Sequence, residues 1–290
     1  MKILITGAQG QLGQECQKVF IEKGYTLFPF SFSKLDITDF RQIHSRMAKI
    51  NPDWVVNCAA ITNVDYSEKI PQKVFLVNTF GPLNLALACK DLPRCKLIHI
   101  STQAVFDGRA KTPYVEEAQP TPLAIGTYAA SKLAGEIIVL RALKERSLIV
   151  RTSWLFGKKG RKNFIKTIIN LAEQGEALEL VTDEISCPTY AYDLAHGLAS
   201  LINVDAPAGI YHLTNEGFAS RYDFAKAVLE LTGKKDYPFK KTTLANYLAK
   251  NPRLSSVSAY SVLANTKAAK LGIRLRPWRE ALAAYFQEGK

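Results

Sequence analysis

The 290-residue sequence contains no Cys-x-x-Cys pair, and its five cysteines (Cys16, Cys58, Cys89, Cys95 and Cys187) are scattered and odd in number. That argues against a zinc site or a disulfide framework and leaves most of them as core thiols. No apolar run approaches the ~20 residues that cross a bilayer. The amino terminus enters an apolar strand without the basic, apolar and cleavage regions of a secretory signal. A soluble, cytoplasmic protein with no membrane partner is therefore expected. Internal repeats and low-complexity stretches are also missing. The chain carries 38 basic against 26 acidic residues, a formal charge of +12. Yet no nucleic-acid module or tight basic-aromatic stripe accompanies that charge, so nucleic acid is not an expected partner. A basic surface instead suits anionic ligands. The densest basic run, Lys158-Lys159-Gly160-Arg161-Lys162, reads either as a solvated loop or as a guide for a phosphate-bearing substrate.

What is present is an alternation of short apolar runs and helical patterns. Strands are expected at Ile3–Thr6, Tyr25–Phe30, Trp54–Asn57, Lys96–Ile100 and Leu148–Arg151. Between them lie helices at about Gln11–Lys23, from Thr38, at Pro71–Lys90 and around Tyr128. This rhythm predicts an α/β protein, a Rossmann-type doubly wound parallel sheet with helices on both faces and right-handed crossovers. After about Ser153 the rhythm breaks. Helices are read at Asn163–Gln174, Tyr190–Ile202 and Arg221–Leu231, and strands at Leu178–Val181 and Gly209–Leu213. The tail from Asn265 to Phe286 reads as two short helices broken near Pro277. The expected division is a dinucleotide-binding domain over 1–152 and a smaller α/β substrate domain over 153–290. The second is discontinuous, with parts near 190–213 returning to the first.

The run Gly7-Ala8-Gln9-Gly10-Gln11-Leu12-Gly13 follows the first strand and opens the first helix. Glycines there let the backbone turn tightly and approach a pyrophosphate, whose charge meets the helix amino terminus. The second strand ends in Ser31-Phe32-Ser33-Lys34, with two hydroxyls and a cation but no carboxylate. An acidic residue at that point would bind a ribose 2′-hydroxyl and repel a 2′-phosphate. Its absence predicts NADPH as the preferred cofactor, with NADH as the alternative. Ser31, Ser33 and Lys34 are then candidate contacts, although Lys34 also reads as a solvated loop cation. Asp36 and Ile37 fall where they could touch the adenine, and the small residues Ala59 and Ala60 after Cys58 let a loop pass close to the cofactor.

Tyr128-Ala129-Ala130-Ser131-Lys132 puts a phenol and an ammonium on one helical face, because residues four apart are neighbours there. An ordinary phenol with a pKa near 10 is a poor acid–base group at neutral pH. A nearby ammonium favours the phenolate and is expected to bring that pKa down. Lys132 could also hold the nicotinamide ribose. Ser101-Thr102, at the end of the fourth strand, would complete the oxygen cradle. The glycine run and the Tyr-x-x-x-Lys, in this order, imply hydride transfer to or from a carbonyl.

On these residues the chain resembles the extended short-chain dehydrogenase/reductase family, and within it the branch of dTDP-4-dehydrorhamnose reductases. The resemblance spans nearly the whole length. It rests on Gly7–Gly13, Leu35–Thr38, Asn57–Asp65, Asn78, Ser101-Thr102, Tyr128 and Ser131–Glu136. Arg151–Gly157, Asn163-Phe164, Cys187–Thr189, Asp193–Ala195 and Pro277-Trp278 extend it. The resemblance implies a Rossmann domain joined to a sugar-nucleotide domain. It also implies reduction of the 4-keto group of dTDP-4-dehydro-L-rhamnose to dTDP-L-rhamnose, a dTDP-sugar substrate. By that resemblance Tyr128 protonates the sugar oxygen, Lys132 tunes it, Thr102 hydrogen-bonds the substrate, and Trp154 and Asn163 lie on the substrate side. The indole of Trp154 could stack on a base or sugar, or simply pack in the core.

Two departures bear on the substrate. The family reads Ser-Thr-Asp-Tyr-Val-Phe after the fourth strand, whereas this chain reads Ser101-Thr102-Gln103-Ala104-Val105-Phe106, placing Gln103 on the substrate side. The family's Arg-Pro near the end is replaced by Val257-Ser258, with Arg253 as the nearby arginine. Some relatives use magnesium at a subunit contact. Glu15 matches one such acidic position, but no complete Mg2+ site is legible and no metal ligand is assigned. Three other readings stand beside the first: a reductase of another 4-keto-6-deoxy sugar nucleotide, a 4-epimerase, and a non-catalytic cofactor-binding subunit. A homodimer is left open.

Overall fold

The computed structural model describes residues 1–121, 126–159 and 164–287. The first half builds a parallel sheet from β1 (Lys2–Thr6), β2 (Thr26–Phe30), β3 (Trp54–Asn57), β4 (Lys96–Thr102) and β5 (Ser147–Thr152). Ile3, Leu4 and Ile5 are each fully buried. Consecutive apolar residues, rather than alternating ones, mark a strand covered on both faces. The cover is supplied by α1 (Gln11–Glu22) on one side and by α2 (Phe40–Ile50), α5 and α6 on the other. Here α3 is Val64–Ser67, α4 Pro71–Phe75, α5 Gly81–Lys90 and α6 Thr127–Leu143.

The helix expected over Pro71–Lys90 is not continuous. Leu76–Phe80 forms a single π-helical turn between α4 and α5. The extra residue swings Asn78 inward, where its amide donates to the Ile61 carbonyl (3.0 Å) and the Ser131 hydroxyl (3.1 Å). Its carbonyl oxygen accepts from the Ile61 N–H at 2.8 Å. These bonds clamp the loop after β3 against α6, and they replace what the local ladder gives up.

In the second half the strands are β6 (Leu155–Phe156), β7 (Leu178–Val181), β8 (Ile185–Ser186), β9 (Thr189–Tyr190), β10 (Gly209–His212), β11 (Ala219–Ser220) and β12 (Phe239–Thr242). The helices are α7 (Phe164–Glu173), α8 (Ala191–Asn203), α9 (Arg221–Leu231), α10 (Leu244–Lys250), α11 (Thr266–Lys270) and α12 (Trp278–Gln287). β10 joins the main sheet beside β5, giving the order β10-β5-β4-β3-β1-β2, all parallel. α8 packs with α1 in the same core as β1 and β3. A separate apolar core unites α7, α9, α12 and β7, with β12 paired to β7. Four cysteines are buried and Cys58 is half-buried.

β10 brings His212 beside Arg151 of β5. Its ring is fully buried, Nδ1 lies 3.1 Å from the Tyr114 carbonyl, and burial together with the Arg151 charge lowers its pKa from 6.5 to about 4. A histidine held neutral in the fold binds its proton more readily once unfolded. Stability is therefore full above pH 6.5 and falls as pH drops from 6.5 toward 4. Denaturant melts across that window should fall more steeply for the wild type than for a His212→Gln variant. Parallel curves would show that His212 does not titrate as described.

Candidate active site

The strand order reverses between β1 and β3: the chain leaves β1 toward β2 on one side and returns to β3 on the other. Ligands of open α/β sheets bind at the carboxyl ends of strands around such a switch point. A cavity of about 500 Å³ lies there. It is lined by Gly7, Gln9 and Gly10 from the first loop, Ser31, Asp36 and Ile37 from beyond β2, and Cys58, Ala59 and Ala60 from beyond β3. Gly7 has φ +65°, and a Cβ built on it would sit 2.6 Å from the Ala59 nitrogen. A Cβ on Gly13 would sit 2.3 Å from the Gly7 carbonyl oxygen. Gly7 is thus pressed against the β3 end and Gly13 against the loop, with no room for a side chain at either. Gly10 caps α1 without a side-chain bond, so the first-turn N–H groups face whatever the cavity holds. This cradle fits a dinucleotide. A Gly7→Ala substitution should weaken NADPH binding at least tenfold, an order of magnitude set by left-handed strain plus the clash. Unchanged affinity by calorimetry would contradict the cradle.

Other expected cofactor residues are placed differently. Leu12 is buried in the core, so only its backbone is left for a ligand. Gln11 packs toward Gly157, whose added Cβ would lie 3.3 Å from the Gln11 Cγ. Ser33 and Lys34 do not line the cavity. The Ser33 hydroxyl is 3.0 Å from that of Ser31, and Lys34 is exposed on the turn. The cavity-lining cation is instead Lys73, on α4, with Tyr66, Ile70 and Val77 near it. No sequence signal marked them, because only the fold brings α3, α4 and the π turn to the cavity. Asp36 spends one carboxylate oxygen on the Thr38 N–H (2.9 Å) and hydroxyl (2.8 Å).

Tyr128 and Lys132 stand on α6 against the end of β4. The Lys132 ammonium donates to the Ile100 carbonyl at 2.6 Å and lies 3.4 Å from His99 Nε2. His99 Nδ1 is 3.0 Å from the Asn57 amide, and the Asn57 carbonyl oxygen accepts from Thr6 at 2.7 Å. The Ile100 carbonyl thus fixes the lysine to β4, while His99, Asn57 and Thr6 link β4 to β3 and β1 through buried groups. Burial lowers its pKa to about 8, against the opposing pull of Glu136. His99, buried beside that ammonium, is held well below its usual range. Below Lys132, Glu136 and Arg151 form an ion pair with 1% of each side chain exposed. Ser101 donates to Glu136.

The Tyr128 phenol corrects an expectation. Its pKa is raised, by burial first, while the neighbouring Thr102 hydroxyl pulls it the other way. Lys132 does not bring it down here, because the ammonium is turned to the Ile100 carbonyl. Thr102 donates to the Gln103 side-chain Oε1 at 2.9 Å and accepts from the Ala104 N–H at 3.1 Å. Gln103 therefore sits on the same rim as Thr102 and Tyr128. Trp154, two residues past β5, has φ +36° and is half-buried. Asn163 lies outside the described residues, as do 160–162 of the basic run. Lys158 from that run stacks on Tyr285, 4.4 Å from its ring centre. Arg253 is exposed. Glu15 is buried on α1. Among the described residues no group of three or more His, Cys, Asp or Glu could hold a metal ion. No described helix is long and apolar enough to cross a membrane.

The family model described as RmlD substrate binding domain matches residues 1–290. The chain belongs to the RmlD family. It is 39% identical over 287 residues to the spore coat polysaccharide biosynthesis protein SpsK of Bacillus subtilis, covering 99% of this chain and 97% of that one. It is 37% identical to dTDP-4-dehydrorhamnose reductase of Mycolicibacterium smegmatis, covering 97% of this chain and 84% of that one. Among solved structures, dTDP-4-dehydrorhamnose reductase of Bacillus anthracis in complex with NADP superposes with a TM-score of 0.91 at 34% identity, with 99% of both chains covered. The RmlD match bears out the resemblance read from the glycine run, the Tyr-x-x-x-Lys and the Arg-Thr-Ser-Trp block.

Proposed function

We propose that this chain reduces the 4-keto group of a dTDP-4-keto-6-deoxy sugar with a nicotinamide cofactor, and that dTDP-4-dehydro-L-rhamnose is its substrate and dTDP-L-rhamnose its product. The observation that carries the reading is the placement of Tyr128 beside Thr102, with Lys132 one turn on, at the carboxyl end of β4, on the same edge of the sheet as the glycine-lined cavity. Relatives named dTDP-4-dehydrorhamnose reductase over nearly the whole chain support the substrate class. In this reading residues 1–152 hold the cofactor, and segments of 153–290 hold the sugar nucleotide.

A bound reduced nicotinamide would supply the hydride. The chain's own residues supply the rest. Gly7, Gly10 and Gly13 with the α1 amino terminus seat the pyrophosphate. Ser31 and Lys73 bias the adenosine end toward a 2′-phosphate, and the cavity's one carboxylate among the described residues, Asp36, accepts from the Thr38 N–H and hydroxyl, which supports NADPH over NADH. Lys132 orients the ribose. Thr102 and Tyr128 take the substrate oxygen between them. A phenol whose pKa is raised by burial stays protonated at neutral pH, and reduction of a ketone requires a protonated donor at that oxygen.

The experiment is a steady-state panel. Purified protein is given NADPH or NADH with dTDP-4-dehydro-L-rhamnose, its C3,C5-epimeric D-sugar precursor, and a UDP-linked analogue. The proposal expects NADPH oxidation that is fastest with the first sugar. Turnover confined to the precursor would reassign the sugar. Interconversion of dTDP-L-rhamnose with its C4 epimer, without net cofactor oxidation, would replace the reductase with an epimerase.

A further inference from the structure

Trp154 adopts a left-handed backbone conformation that a bulky side chain reaches only at a cost of order 1–3 kcal/mol. The turn presents its indole to a residue remote in sequence. The Arg221 guanidinium lies 3.6 Å from the Trp154 ring centre and 5.2 Å from that of Phe164. It is held in plane by one oxygen of Glu184, which accepts from Nε at 3.0 Å and from Nη2 at 2.9 Å. Glu184 comes immediately before β8, Arg221 immediately after β11, and the two strands pair. The position of the guanidinium is therefore set by backbone pairing as well as by stacking.

That grip uses the side of the guanidinium. Among the described residues no partner is found for Nη1, and 26% of the Arg221 side chain remains exposed. The end-on pair of N–H groups, one from Nη1 and one from Nη2, is open. A planar fork of two donors at fixed spacing matches phosphate oxygens. Its surroundings place it at the carboxyl edge of the sheet. Trp154 leaves the end of β5, and Thr152 of β5 is in register with Thr102 of β4. Ser153 and Ser186 are hydrogen-bonded, joining the β5 end to β8. The coil after α10 closes the far side, bonding Ser255 to Asp65 at 2.8 Å and the Ala259 carbonyl to the Ile185 N–H at 2.7 Å.

We propose that Arg221, braced by Glu184 against Trp154, binds the diphosphate of the sugar nucleotide and sets the preference for a nucleoside diphosphate over the bare nucleoside. This rests on the proposed function and names a specificity residue within it. Arg221 acts on binding and not on the reacting atoms. The test uses calorimetry with dTDP and with thymidine, and steady-state kinetics with the dTDP-sugar, on the full-length chain. The variants are Arg221→Lys, which keeps the charge without the fork, and the double variant Arg221→Gln/Glu184→Gln, which leaves no uncompensated half-buried charge. Removing charged hydrogen bonds of this kind should weaken dTDP binding about 10- to 100-fold. KM should rise to match, with kcat and NADPH affinity within about threefold and thymidine binding unchanged. Unchanged dTDP binding would overturn the proposal. Equal losses for dTDP and thymidine would also overturn it, since Arg221 would then only shape the Trp154 platform. Wild-type protein that binds dTDP in this way but reduces no dTDP-sugar would sink the reductase reading and leave the Arg221 contact standing.

Discussion

Replacing Tyr128 by phenylalanine should lower turnover of the 4-keto sugar nucleotide by roughly a thousandfold, within the range found for losing a positioned acid. The melting temperature and NADPH affinity should stay near wild type. The Tyr128 side chain is half-buried on α6, and phenylalanine keeps that packing. Only the hydroxyl beside Thr102 is lost. A Thr102→Val variant should show a smaller loss, because Thr102 bonds Gln103 and Ala104 as well as flanking Tyr128. If Tyr128→Phe retained near wild-type turnover, the proton would come from elsewhere, and the assignment of Tyr128 would be wrong. A raised phenol pKa also predicts that the reductive rate holds through neutral pH and declines only on the alkaline side. A rate that instead rises with pH from 6 to 8 would point to the phenolate as the working form.

The second large effect is on stability. Glu136→Ala removes the carboxylate that accepts from Arg151 Nε at 3.0 Å and from Nη2 at 2.6 Å. Arg151 would be left 1% exposed with its charge unpaired. It already has Nη1 without a partner among the described residues. Breaking a buried pair from one side costs about 3–5 kcal/mol. In a chain of this length that lowers the melting temperature by on the order of 10 °C. Glu136→Gln, which keeps an acceptor for Arg151 and for Ser101, should cost less. Ser101 adjoins Thr102, so the alanine variant should also lose activity before it unfolds. A stability loss under about 1 kcal/mol would mean that the pair is already screened by water.

The sheet was legible because its strands are apolar without interruption. Ile3-Leu4-Ile5 and Trp54-Val55-Val56 can be read only as strands covered on both faces. The glycine run was legible because its spacing has one geometric use. The π turn at Leu76–Phe80 was not, because it depends on Asn78 finding Ile61 and Ser131, residues that only the fold brings near. β12, Phe-Lys-Lys-Thr, carries two exposed lysines, and its pairing with β7 gives the strand away only in three dimensions. At the site, Tyr128, Lys132 and Thr102 could be placed by helical spacing and strand order. Lys73 and Arg221 could not. One meets the cavity only because the fold brings α4 to it, and the other depends on the left-handed turn at Trp154. Lys34 carried the right charge but sits on a turn that points it to solvent.

The most direct test follows the hydrogen itself. NADPH carrying deuterium at the transferring C4 position is supplied with dTDP-4-dehydro-L-rhamnose and the wild-type protein, and the sugar product is read by mass spectrometry and proton NMR. The account predicts one deuterium at sugar C4, one NADP formed per sugar reduced, and a product identical to dTDP-L-rhamnose. Product without deuterium at C4, or NADPH left unoxidised while the sugar changes, would contradict it.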